Sequence, residues 1–170
     1  MKKLLMILTV SAIAFYGCED KKKDLTQQYD KLMEENDSIM AMHTEAKAMH
    51  DQMMANYTQM SEKMMSAEVK DSSQMGALAA DEVILKKHEA MLNGHEELLT
   101  GHKAIRDNFD SKTEVEIEAQ INEMRDNLDR IKSEHGTMKD EHDAMMNKQE
   151  EMMKQSMDTV NDPSKTEKVQ

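Results

Sequence analysis

An all-α fold is predicted for this chain: an antiparallel, up-down-up three-helix bundle, coiled-coil-like, with two long helices and a shorter one between them. Three observations predict it. Apolar side chains recur at seven-residue steps over most of the length, and that step returns to one helical face every two turns. Helix breakers are scarce, with one proline and five glycines in 170 residues, while 33% of the residues are charged, as long solvated helices require. Two short polar breaks divide the pattern, and short connections make sequential helices antiparallel.

Residues 1–17 read as a secretory signal outside the fold. Lys2 and Lys3 form a basic start, Leu4 to Tyr16 an apolar stretch, and Gly17-Cys18 a small-residue cleavage point. The stretch is too short for a stop-transfer helix. Cleavage after Ala12-Ile13-Ala14 would instead leave Cys18 as a free thiol. Phe15-Tyr16-Gly17-Cys18 resembles the lipobox of bacterial lipoproteins, and that resemblance implies lipidation (palmitate among the acyl chains) of Cys18, the only cysteine. Two or more acyl chains would anchor the protein stably. Residues 18–24 are then the lipidated cysteine and a charged tether, Glu19 to Asp24.

The first helix is expected over about 25–67, with Leu25, Leu32, Ile39, Ala46, Met53 and Met60 on one seam. Val69 to Gln74 reads as a turn, with Asp71 or Ser72 as the next cap. The second helix is expected over about 72–109. A turn at Asp110 to Thr113 follows, with Thr113 or Ser111 as cap and Glu114 and Glu116 in the first turn of the third helix. That helix, about 113–157, carries the cleanest pattern: Ile117, Ile121, Met124, Leu128, Ile131, His135, Met138, His142 and Met145. Residues 159–170, with the only proline, read as a disordered tail.

All seven histidines fall on this seam, in sets that step by seven: His43 and His50; His88, His95 and His102; His135 and His142. The segments starting at His50, His95 and His142 also resemble one another, each being His-acidic followed two residues later by paired Met or Leu. Antiparallel folding gives a register. With turn centres near Val69 and Ser111-Lys112, residue i of the first helix faces 138 − i, and residue j of the second faces 223 − j. His50, His88 and His135 then share one layer, and His43 and His95 lie near Leu128 in the next. Tyr57, Asp81 and His142 lie on one side, and Asn36, His102 and Ile121 beyond His43.

Three imidazoles from three helices supply three metal ligands and leave a fourth position open, as zinc sites do. The 20 methionines add soft thioether donors, which suit copper. Asp81, with Tyr57 beside it, is placed to orient His142 from behind. A competing reading makes the histidines polar specificity devices that fix register and the methionines filling for core gaps, with adjacent pairs widening the apolar stripe. Gly94, Gly101 and Gly136 each adjoin a histidine; they permit a bend or close approach, or mark a break at Asn93-Gly94.

The formal net charge is −12, and −14 once Lys2 and Lys3 are removed with the signal. Such a surface repels nucleic acid and anionic headgroups. No phosphate loop, HExxH, nucleophile elbow or CxxC is present, so the chain is not expected to be an enzyme, and no small-molecule substrate is evident. Aromatics are only 3% and no internal disulfide is possible, so stability falls to helix packing, a ligand or self-association.

Cys18 and the charged run Glu19-Asp20-Lys21-Lys22-Lys23-Asp24 resemble the start of small lipoproteins of the Bacteroidota type. The Met-His stretches Met40-Ala-Met-His43 and Ala48-Met-His50-Asp are loosely similar to flavobacterial lipoproteins labelled viral A-type inclusion protein. The label reflects coiled-coil likeness and implies no activity. The resemblance implies a cell-envelope protein anchored to the outer membrane through its lipidated N-terminus, periplasmic or surface-exposed. The leading expectation is a His/Met core that binds zinc or copper for buffering or resistance. The alternatives are a structural or interaction lipoprotein, paired with a second copy or a helical partner, and a chaperone-like helical protein.

Overall fold

The computed structural model describes the backbone of residues 2–66 and 72–161 and the side chains of 21–66 and 72–154. It contains three long helices, α1 (Lys2–Ser66), α2 (Ser72–Lys103) and α3 (Glu114–Asn161), with a 3-10 segment at Arg106–Ser111 and no strand among the described residues. Their packing is that of a helical bundle with a shorter middle helix. The turn expected around Val69 and Asp71, the side chain of Cys18 and residues 162–170 lie outside the described residues. Among the described residues, no helix is long and apolar enough to cross a membrane.

Three boundaries differ from expectation. α1 does not begin at Leu25 but runs without a break through the expected tether, because Lys and Glu favour helix and Glu19 to Asp24 holds neither Gly nor Pro. Thr26 Oγ1 donates to the Lys22 carbonyl there, at 3.0 Å. α2 stops at Lys103 rather than 109. Tyr29 O–H reaches the carbonyls of His102 (2.8 Å) and Lys103 (3.4 Å), which satisfies acceptors that a helix end otherwise leaves open. The next turns close as 3-10 bonds, Ala104 N–H to Gly101 O and Asn108 N–H to Ile105 O. α3 extends to Asn161, four residues past the expected end.

The start of α3 is as expected. Thr113 N–H donates to Glu116 Oε2 at 2.7 Å while Glu116 N–H donates to Thr113 Oγ1 at 3.4 Å, a reciprocal capping box. The Thr113 backbone and hydroxyl bonds hold the Glu116 carboxyl below its ordinary range.

The chain forms two compact units. Residues 1–41 and 95–132 make the first. Its core holds Leu25, Tyr29, Leu32 and Ile39 of α1, Leu99 of α2, and Ile117, Ile121, Met124, Leu128 and Ile131 of α3. Phe109 of the 3-10 segment meets Tyr29 edge-on at 5.1 Å. Buried Asn36 accepts through Oδ1 from His102 Nδ1–H at 2.9 Å, so His102 carries its proton on Nδ1, and Asn36 Nδ2 donates to Leu99 O at 3.3 Å.

Residues 42–94 and 133–170 make the second unit. Its apolar layers are Ala46–Leu92–Met138, Met53–Leu85–Met145 and Met60–Leu78–Met152. Numbers rise along α1, fall along α2 and rise along α3, so the segments run up, down and up. The register of α1 on α2 is the expected 138 − i. That of α2 on α3 is 230 − j, one heptad beyond the expected 223 − j. The connection explains the slip. A 3-10 helix rises about 2.0 Å per residue against 1.5 Å for an α-helix, and Lys112 is extended. More residues of α3 are therefore needed to climb back.

The glycines beside histidines mark neither a break nor a close approach. α2 continues through Gly94, and nothing lies within 4 Å of where a Cβ would stand at Gly94 or Gly136. Gly94→Ala and Gly136→Ala are each expected to stabilise the protein by roughly 0.5–1 kcal/mol through lower unfolded-state entropy. Denaturant melts check this, and a loss of stability in either variant would mean the helix needs its glycine there.

Candidate metal centre

The sequence pattern puts every histidine on a helical seam, and all seven side chains are buried. Within the second unit, His50 of α1, His88 of α2 and His142 of α3 come together between the Ala46–Leu92–Met138 and Met53–Leu85–Met145 layers. One ring nitrogen of each lies within 4.8 Å of the others. His88 and His142 are each only 1% exposed. Their rings are 4.9 Å apart at 75°, while His50 lies 5.6 Å from His142 and 6.3 Å from His88.

His88 Nδ1 and His142 Nε2 face each other at 3.1 Å. Four tetrahedral zinc–nitrogen bonds of about 2.0 Å would hold neighbouring nitrogens roughly 3.3 Å apart, so this pair is already near ligand spacing. His50 Nδ1 is buried without a hydrogen-bond partner. A buried polar atom left open in this way is costly unless something fills its place. These three histidines can hold a metal ion.

The electrostatics fit a cation. His142 is pushed down to about 4, first by burial and then by His88 and His50 beside it. Burial and the neighbouring His88 also lower His50. An ordinary imidazole is mostly protonated at pH 5.5, whereas His142 keeps its lone pair. Asp51 and Glu89 face His50 and work against its loss of charge. Both also line a surface hollow beside His50, with Lys47, Met54 and Asn93.

His135, expected as the third member, is instead 3.3 Å from His43 through Nε2 and Nδ1. The one-heptad slip of α3 substitutes His142 for His135 in the layer. The same slip removes Asp81 and Tyr57 from His142. Asp81 is buried and pairs with Lys148 at 2.8 Å, and Tyr57 donates to Glu82 at 3.1 Å. Burial, reinforced by Glu82, raises the Tyr57 phenol. Buried His95 belongs to the first unit, and His102 there is occupied with Asn36.

Glu141 is the residue sequence reasoning missed. Its Oε2 contacts His88 Nε2, and its Oε1 is 3.9 Å from Lys87 Nζ. It lies off the apolar seam, so periodicity does not mark it. The available signal was its position just before His142, at the edge of the face that meets α2.

The methionine pairs divide their work. Met145 and Met152 are buried, while their partners Met146 and Met153 are 44% and 37% exposed. The pairs thus widen the apolar stripe on α3. No family model, curated protein or solved structure matches the chain.

Proposed function

We propose that this chain is an envelope-anchored, non-enzymatic helical lipoprotein whose His/Met-rich core binds a transition metal for buffering or resistance. The convergence of buried His50, His88 and His142, one from each helix, carries the reading. Three imidazoles leave one coordination position for water or another donor, a pattern that zinc accepts. Imidazole also suits copper, with thioether needed only for a preference toward Cu(I). Zinc is the first ion to test.

The N-terminal reading supports the anchor: a basic start, the apolar stretch Leu4 to Tyr16, then Gly17-Cys18. Lipidation at Cys18 would hold the helices at the outer membrane, with a second copy or a helical protein as further partner. Storage needs no substrate pocket, in keeping with a centre enclosed by three helices.

Thermal melts of the full chain, metal-free and with Zn(II) or Cu(I), test the proposal. A ligand that binds only the native state stabilises it by about 2.7 kcal/mol at one hundred times its dissociation constant. A saturable rise in Tm with one ion is expected. Flat melts with both would leave the histidines as packing residues of a structural lipoprotein.

A further inference from the structure

We infer that Glu141 is the positioning carboxylate of the His50–His88–His142 centre and makes His88 bind a divalent cation through Nδ1. The inference rests on the reading of this trio as a metal centre and adds a residue and a ligand atom to it. Glu141 Oε2 contacts His88 Nε2. An ionised carboxylate only accepts hydrogen bonds, so the His88 proton sits on Nε2 and the lone pair on Nδ1. That Nδ1 is the atom facing His142 Nε2 at 3.1 Å. Glu141 therefore turns the basic nitrogen of His88 toward the other two histidines.

The proton positions then follow for both states. Without metal, His142 Nε2–H donates to His88 Nδ1. With metal, His142 takes its other tautomer, its proton on Nδ1 and its Nε2 lone pair on the ion. No proton is lost from the trio, because each ring keeps one proton and only His142 changes tautomer. Glu141 touches the far side of the His88 ring and does not compete for the ion. Lys87, 3.9 Å from its other oxygen, draws the carboxylate toward α2. Such outer carboxylates fix ring orientation and raise ligand basicity, and their loss weakens metal binding about 10–100-fold.

Glu141 is one-third exposed, so its replacement leaves the apolar layers intact. The full chain, labelled with nitrogen-15 in its imidazoles, is titrated with Zn(II) as wild type, Glu141→Ala and Glu141→Gln. In the wild type, His88 should carry its proton on Nε2 before and after zinc, with Nδ1 shifted as the bound nitrogen. Glu141→Ala should weaken zinc binding about 10–100-fold, and Glu141→Gln, which keeps an acceptor oxygen, should recover part of the loss. Zinc on His88 Nε2, or wild-type affinity in Glu141→Ala, would overturn the inference and leave the metal centre standing. A wild type that takes up no zinc removes the centre itself, a failure seen before any variant is compared.

Discussion

Replacing His50, His88 and His142 together with leucine is expected to abolish metal uptake at their centre and raise the melting temperature of the metal-free protein by several degrees. Leucine is close to histidine in size and leaves no buried ring nitrogen open, as His50 Nδ1 is in the native layer. An unsatisfied buried polar group costs about 1–3 kcal/mol, and 1 kcal/mol moves Tm by roughly 2–4 °C in a chain of this length. Loss of uptake alone would also follow from misfolding, so the rise in Tm is the necessary companion. The single changes separate the two registers. His142→Leu should remove the metal equivalent that His135→Leu leaves in place. The opposite order would overturn the assignment of His142 to this centre.

Acid is the second large effect. His142 titrates near 4 in the folded chain, because burial and then His88 and His50 oppose its charge. In the unfolded chain it titrates near 6.5. A folded pKa below the unfolded one means that the unfolded state binds the proton first. Stability is full above about pH 6.5 and falls as the pH drops toward 4. The shift corresponds to about 3 kcal/mol, a sizeable part of the 5–15 kcal/mol typical of a domain. His50 and His102, both lowered chiefly by burial, act in the same direction. Urea melts from pH 7.5 to 4.5 should show the loss beginning near 6.5, with saturating zinc delaying it. A midpoint constant over that range would mean the histidines reach water.

The bundle was legible where periodicity is local. The seven-residue steps placed Leu25, Ile39, Met53, Leu128 and all seven histidines on the buried face without knowledge of any partner helix. The α1–α2 pairing was equally legible, since Ala46–Leu92 and Met53–Leu85 obey the expected register. The α2–α3 pairing was not. It depends on the axial rise of residues 104–113, and composition does not reveal that Arg106–Ser111 would wind as 3-10 helix. The Tyr29 bonds that end α2 bridge more than seventy positions, beyond the reach of any local pattern. The slip changed which histidine joins the trio while leaving every histidine buried, because a heptad shift returns to the same face. Glu141 escaped for a related reason: its role comes from which helix it meets.

A chain with one cysteine cannot staple itself covalently. An ion shared by positions 50, 88 and 142 would tie three distant stretches at a single knot, closing loops of roughly 40 and 50 residues. In the chain-entropy view, a permanent cross-link over such a loop restricts the unfolded ensemble by about 4 kcal/mol. The metal would then serve this aromatic-poor chain as a removable rivet, set where the ion is plentiful and withdrawn by a chelator, so that the ion supply would govern how long the helices stay together.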